Sequence, residues 1–89
     1  MAKIVEFKEF KVIECMAQEL MDAFKSCICI CDNCGTPKLA TDNGYYIAVL
    51  NRWFCESCYE EFKARAKYYI EDKPYEDRNF ERAKQLFNI

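Results

Sequence analysis

Cys31-Asp32-Asn33-Cys34 and Cys55-Glu56-Ser57-Cys58 are two Cys-x-x-Cys motifs, with 20 residues, Gly35 through Phe54, between them. Two residues between cysteines allow both sulfurs to turn inward on one tight bend. Two such bends at this separation match the spacing of a four-cysteine zinc site. Their four thiolates complete a tetrahedron around one Zn²⁺ at about 2.3 Å per bond. A tetrahedron closed by protein sulfurs keeps no position for water or substrate, so the ion implied is structural. The expected ligands are Cys31, Cys34, Cys55 and Cys58, with one zinc per chain.

Working outward from the pairs, Cys27-Ile28-Cys29-Ile30-Cys31 alternates like a short strand, with the cysteines on one side and the isoleucines on the other. It delivers Cys31 into the first bend, which Gly35 completes through its tolerance of positive φ. Cys27 and Cys29 share the face of Cys31. Cys29 in place of Cys31 as a ligand is an alternative, but the Cys-x-x-Cys bend is the better geometry. Cys15, Cys27 and Cys29 otherwise read as small buried hydrophobes. Lys38–Thr41 and Tyr45–Leu50 are expected as paired strands around an Asp42-Asn43-Gly44 turn, since Asn-Gly is a strong hairpin signal. Tyr45, Ile47 and Val49 share one face of the return strand, and Tyr46, Ala48 and Leu50 the other. Both faces are apolar, so one is expected on the helix that follows and the other on the N-terminal helix.

Cys55, Cys58, Tyr59, Phe62, Ala66, Tyr69 and Ile70 recur as one helical face. Glu56, Glu60 and Glu61 precede Lys63, Arg65 and Lys67, the order that suits a helix dipole. At the N-terminus, Phe7, Phe10, Ile13, Ala17, Leu20 and Phe24 recur at steps of three and four, which predicts a helix over residues 5–25. Lys3 to Val12 also reads as the start of a strand. Its apolar residues do not alternate cleanly, which favours helix after a short extended start. Pro74 opens a last helix, 74–87, with Phe80, Ala83 and Phe87 inward.

Knuckle, β-hairpin, then a helix carrying the second cysteine pair is the order of a treble-clef zinc finger. Residues 31–70 resemble that group, including its LIM-type and GATA-type members, through the two cysteine pairs, Gly35, the Asp42-Asn43-Gly44 turn and the lead-in Trp53-Phe54. The resemblance implies Cys31 and Cys34 on the knuckle and Cys55 and Cys58 on the helix. The fold class expected is therefore small α+β, with a four-cysteine treble clef braced by N- and C-terminal helices in one domain of 89 residues.

Net charge is −2, with 13 basic and 15 acidic residues, whereas a protein built to grip phosphates shows a basic surplus. No stretch approaches the roughly 20 apolar residues of a membrane span. The early charges Lys3 and Glu6 do not read as a signal peptide, so a cytoplasmic, reducing location is expected, and seven cysteines fit a disulfide framework poorly. Iron is the alternative metal, because Cys31–Gly35 resembles a rubredoxin knuckle, although Cys58-Tyr59-Glu60 lacks the matching glycine. A redox Cys-x-x-Cys expects one pair in a βαβ setting. There is no histidine, and the chain has two glycines in all, too few for a phosphate loop. A non-enzyme is therefore expected. The aromatic surplus and acidic balance point to a zinc-binding module acting on another protein. Lys63, Arg65 and Lys67, with Arg52 nearby, support nucleic-acid binding as the alternative. The oligomeric state stays open, with a dimer as a third reading.

Overall fold

The computed structural model describes residues 2–89. They form a four-stranded antiparallel sheet and three α-helices. Strands β1 (Lys3–Phe7), β2 (Phe10–Met16), β3 (Asn43–Ile47) and β4 (Arg52–Cys55) lie side by side in chain order. The helices are α1 (Ala17–Phe24), α2 (Glu56–Arg65) and α3 (Lys73–Phe87). A 3-10 turn at Ile70–Asp72 leads into α3.

The expected helix over 5–25 is corrected: residues 3–16 are a β-hairpin, and helix begins only at Ala17. β2 lies between β1 and β3, with Val12↔Val5 on one side and Val12↔Ile47 on the other. It is also covered on both faces, so consecutive Val12 and Ile13 are both fully buried. A strand buried on both faces loses the apolar–polar alternation that marks a half-exposed one. β-branched Val5, Val12 and Ile13 favour strand. Lys8 takes φ 53° in the two-residue turn, and Phe7 and Phe10 stack across it at 5.9 Å. α1 then starts where the Glu19 carboxylate accepts from the Met16 N–H at 2.8 Å.

The second hairpin is also displaced from its expected position. Asp42 closes a tight turn instead, donating its N–H to Leu39 O at 2.9 Å and accepting the Leu39 N–H on Oδ2 at 2.8 Å. Asn43 and Gly44 already belong to β3. The reversal comes at residues 48–51, where Leu50 and Asn51 donate back to Ile47 and Ala48 and Asn51 sits at φ 55°, a conformation that asparagine tolerates. Gly44 serves close packing: a Cβ there would lie 2.2 Å from Trp53 Cζ2.

Adjacent tyrosines of β3 divide the helices between the two faces, as the alternation of this strand predicts. Tyr45 stacks on Tyr59 of α2, with ring centroids 3.9 Å apart. Tyr46 packs on Phe24 of α1 at 5.7 Å. Phe10 and Phe54 join the α2 side through Phe62. On the other side, α1 meets α3 through Phe24 and Phe87.

Helix α2 stops at Arg65, short of the expected Ile70. An extended link over 66–69 places Tyr68 against Phe10 at 5.3 Å and leaves Tyr69 and Ile70 52% and 66% exposed rather than inward. α3 begins one residue before the expected Pro74 and buries Phe80 and Ala83, with Phe87 packed at the margin of the core. Glu76 is its one buried charged residue. Its carboxyl accepts the Lys11 N–H at 2.9 Å and the Tyr68 hydroxyl at 3.2 Å.

Candidate metal centre

Cys31 and Cys34 sit at the tip of a short ribbon. Cys31 N–H donates to Thr36 O at 3.1 Å, Lys38 N–H donates to Cys29 O at 2.9 Å, and Ile30 pairs with Pro37. Gly35 N–H closes the bend onto Cys31 O at 2.8 Å, with Gly35 at φ 73°. Cys55 ends β4 as the N-cap of α2, and Cys58 follows in the first helical turn. The ribbon docks on β4, and Cys55 N–H donates to Cys31 Sγ at 3.3 Å.

The result is a compact donor set. The Sγ atoms of Cys31, Cys34, Cys55 and Cys58 all lie within 4.8 Å of one another, with all but Cys34 buried. Four sulfurs at 2.3 Å from one central ion stand about 3.8 Å apart, so a small inward movement of the thiols closes a tetrahedron. The four cysteines are thus placed to coordinate one metal ion.

The electrostatics of the set favour a cation. The Thr36 side chain, hydrogen-bonded to Cys34 Sγ at 3.3 Å, and the Thr36 backbone N–H hold the Cys34 thiol down to about 6. Burial resists the ionisation of Cys55, but the Ser57 hydroxyl and Cys58 N–H outweigh it and lower that thiol too. At Cys58 the Asn33 side chain acts to lower the thiol, yet burial and the three neighbouring sulfurs push it up to about 12. The cluster therefore stabilises some thiolates while opposing a full set of four. A divalent cation at the centre removes that conflict, because metal binding deprotonates its thiols.

The remaining cysteines stand apart from the set. Burial pushes Cys15 up to about 12, against a smaller lowering by the Trp53 side chain, and it pushes Cys29 up to about 11. Both are buried, whereas Cys27 is exposed. The alternation of residues 27–31 is kept in its inner half: Cys29 and Cys31 are buried, and Ile28 and Ile30 face outward.

Asp32, Asn51, Arg52 and Arg82 are polar residues that the fold brings beside this centre. Asp32 Oδ2 accepts the Trp53 N–H at 3.0 Å, and Arg52 Nη1 reaches Asp32 O at 3.5 Å. Asn51 Oδ1 accepts from the Tyr46 hydroxyl at 2.6 Å and from Arg82 Nη2 at 3.0 Å. Sequence reasoning passed over Asn51 and Arg82. An asparagine four residues before Cys55 was a turn signal, but Arg82 lies on α3 and carried no signal. Among the described residues no helix is long and apolar enough to cross a membrane. No family model, curated protein or solved structure matches this chain significantly.

Proposed function

We propose that this protein is a non-catalytic zinc module of treble-clef type that binds another protein in a reducing compartment. The observation that carries the reading is the closed set of four sulfurs, which leaves a bound ion no site for substrate and gives it a structural task. Zinc is the metal that suits four thiolates at this spacing. The order of knuckle, β3–β4 hairpin and α2 supports the treble-clef assignment.

Large apolar side chains stay exposed at Leu39, Tyr69, Ile70 and Tyr75, and exposed aromatic and aliphatic groups favour protein contacts. The basic residues of α2 and of the link that follows it give less support to nucleic acid. Lys63 pairs with Glu60 at 3.0 Å, and Lys67 lies over the Tyr69 ring. The test has two parts. Metal analysis of protein purified without added metal is expected to give one zinc per chain; a coloured iron protein overturns the structural-zinc reading. Crosslinking in native lysate is expected to recover a partner at stoichiometric yield; recovery of none, or salt-sensitive retardation of RNA or DNA instead, overturns the protein-binding reading.

A further inference from the structure

An open cleft of about 340 Å³ lies beside the knuckle, between the end of α1, the segment entering Cys31, the 48–51 turn and α3. Phe24, Tyr46 and Trp53 give it apolar lining. Ile28 and Ile30 stand on its rim, 54% and 40% exposed. Arg52 and Arg82 also line it.

The two guanidiniums differ from most cations of the chain. Lys3, Lys11, Lys63, Lys73 and Lys84 each pair with a carboxylate, and Arg78 lies over Tyr75. Among the described residues Arg52 and Arg82 have neither kind of partner. Their acceptors are neutral: Asp32 O for Arg52, and Asn51 Oδ1 and the Tyr46 side chain for Arg82, which leaves further donors on each five-donor guanidinium. Asn51 is itself fixed by the Tyr46 hydroxyl, which holds Arg82 in place before any ligand arrives. Two restrained guanidiniums beside an apolar lining call for an anion attached to an apolar body. Asp32 lines the same cleft. It would oppose a run of phosphates, whereas a lone carboxylate seated between the arginines is compatible with it.

We infer that the cleft takes a segment of a partner protein in which one Asp or Glu stands beside a bulky apolar residue. Arg52 and Arg82 hold the carboxylate, and Ile28, Ile30 and Phe24 receive the apolar side chain. This inference rests on the protein-binding reading and names its surface. It also makes recognition depend on the metal, because Asp32 and the 28–31 segment that form one wall are held by the knuckle.

The probe is a phage library of random decapeptides selected on the zinc-loaded full chain. The expected result is enrichment of Asp or Glu within two positions of Leu, Phe or Trp. The best synthetic peptide then binds R52Q/R82Q at least tenfold more weakly, as expected for loss of charge-assisted bonds. Replacing its carboxylate by the amide gives the same loss, with no further loss against the double variant. Both arginines are exposed, so the variant is expected to keep its zinc and its thermal midpoint, and Arg82→Lys to recover part of the affinity. Enrichment without an acidic residue, affinity unchanged in R52Q/R82Q, or displacement of the peptide by oligonucleotides crosslinked at Arg52 or Arg82 overturns the inference. The lysate experiment separates the two levels. A partner captured equally by wild type and R52Q/R82Q sinks the cleft and leaves the protein-binding reading standing, whereas no partner for wild type sinks that reading.

Discussion

Asp32 and Trp53 are joined by two hydrogen bonds: the Asp32 N–H donates to Trp53 O at 3.0 Å, and the Trp53 N–H donates to Asp32 Oδ2 at 3.0 Å. One residue lies between the first two cysteines of the four-cysteine set, and the other lies on β4 two residues before the third. This pair ties the two halves of the donor set together. Trp53 is in turn 1% exposed and donates its indole N–H to Cys15 O at 3.3 Å, so the knuckle is tied to the core of the sheet.

Asp32→Ala is therefore expected to weaken metal binding by about 10- to 100-fold, the effect of losing a partner that orients metal ligands. It also costs about 1–3 kcal/mol through the unpaired Trp53 N–H. Competition with a chromophoric chelator measures the first effect and urea unfolding the second. An affinity equal to wild type would show that the sulfurs find the metal without this tie.

Serine at Cys31, Cys34, Cys55 or Cys58 is expected to abolish stoichiometric metal and with it the cooperative thermal transition, because a structural zinc supplies free energy comparable with the whole stability of a small domain. Cys27→Ser should keep one metal per chain and lie within about 0.5 kcal/mol of wild type, as an exposed side chain outside the cluster does. Elemental analysis and circular dichroism read both. A metal-free but normally folded Cys58→Ser chain would remove the structural role of the ion.

The two glycines should respond to alanine for different reasons. At Gly44 the new Cβ meets Trp53 Cζ2 at 2.2 Å and Phe54 O at 2.6 Å. Neither can yield without moving the sheet, so a loss of about 3 kcal/mol is expected. At Gly35 nothing lies within 4 Å, but φ is 73°, and the cost is the left-handed strain of about 1 kcal/mol. Urea midpoints of the two variants give the order, and Gly35→Ala as the more damaging would reverse the assignment of packing and conformation.

Acid should destabilise the protein in a way that Glu14 helps to set. Donation from Asn43 Nδ2, at 2.8 Å, lowers its carboxyl below the usual 4.5; burial opposes this, and Lys3 and Tyr45 assist. A carboxyl depressed on folding stabilises the protein at pH above its unfolded value, and that contribution fades as pH falls through the folded one. The urea-midpoint gap between wild type and Glu14→Gln is thus expected to be full at pH 6 and to shrink below pH 4.5. A gap constant from pH 6 to pH 3 would assign the effect to packing rather than charge.

The convergence of the four cysteines and α3 were legible in the chain because each rests on a local rule: the spacing of the two pairs for the cysteines, and a 3.6-residue stripe through Phe80, Ala83 and Phe87. So was the division of Tyr45 and Tyr46 between two helical layers, which follows from the period of a strand. The N-terminal hairpin was not. Val12 and Ile13 are buried on opposite faces by elements that arrive later in sequence, and their adjacency mimics a helical stripe. Asn43-Gly44 misled for a similar reason: the glycine is required by Trp53, nine residues away and reachable only once β3 and β4 pair. Tyr69 and Ile70 continue the α2 periodicity on paper. The chain leaves the helix at Ala66 because Tyr68 has its place on Phe10 and Glu76.

The knuckle has a second consequence, for the sheet's outer margin. β4 is the last strand, and its outward N–H and C=O groups would be open to pairing with another chain. Trp53 N–H, Trp53 O and Cys55 N–H are instead taken by Asp32 Oδ2, Asp32 N–H and Cys31 Sγ. The loop from Cys31 to Cys34 thus acts as an edge guard of the kind that keeps β-proteins from templating one another. If the four cysteines hold a metal as proposed, its removal is expected to loosen the loop from the β4 edge and to favour self-association through the freed backbone groups, which light scattering with and without chelator checks.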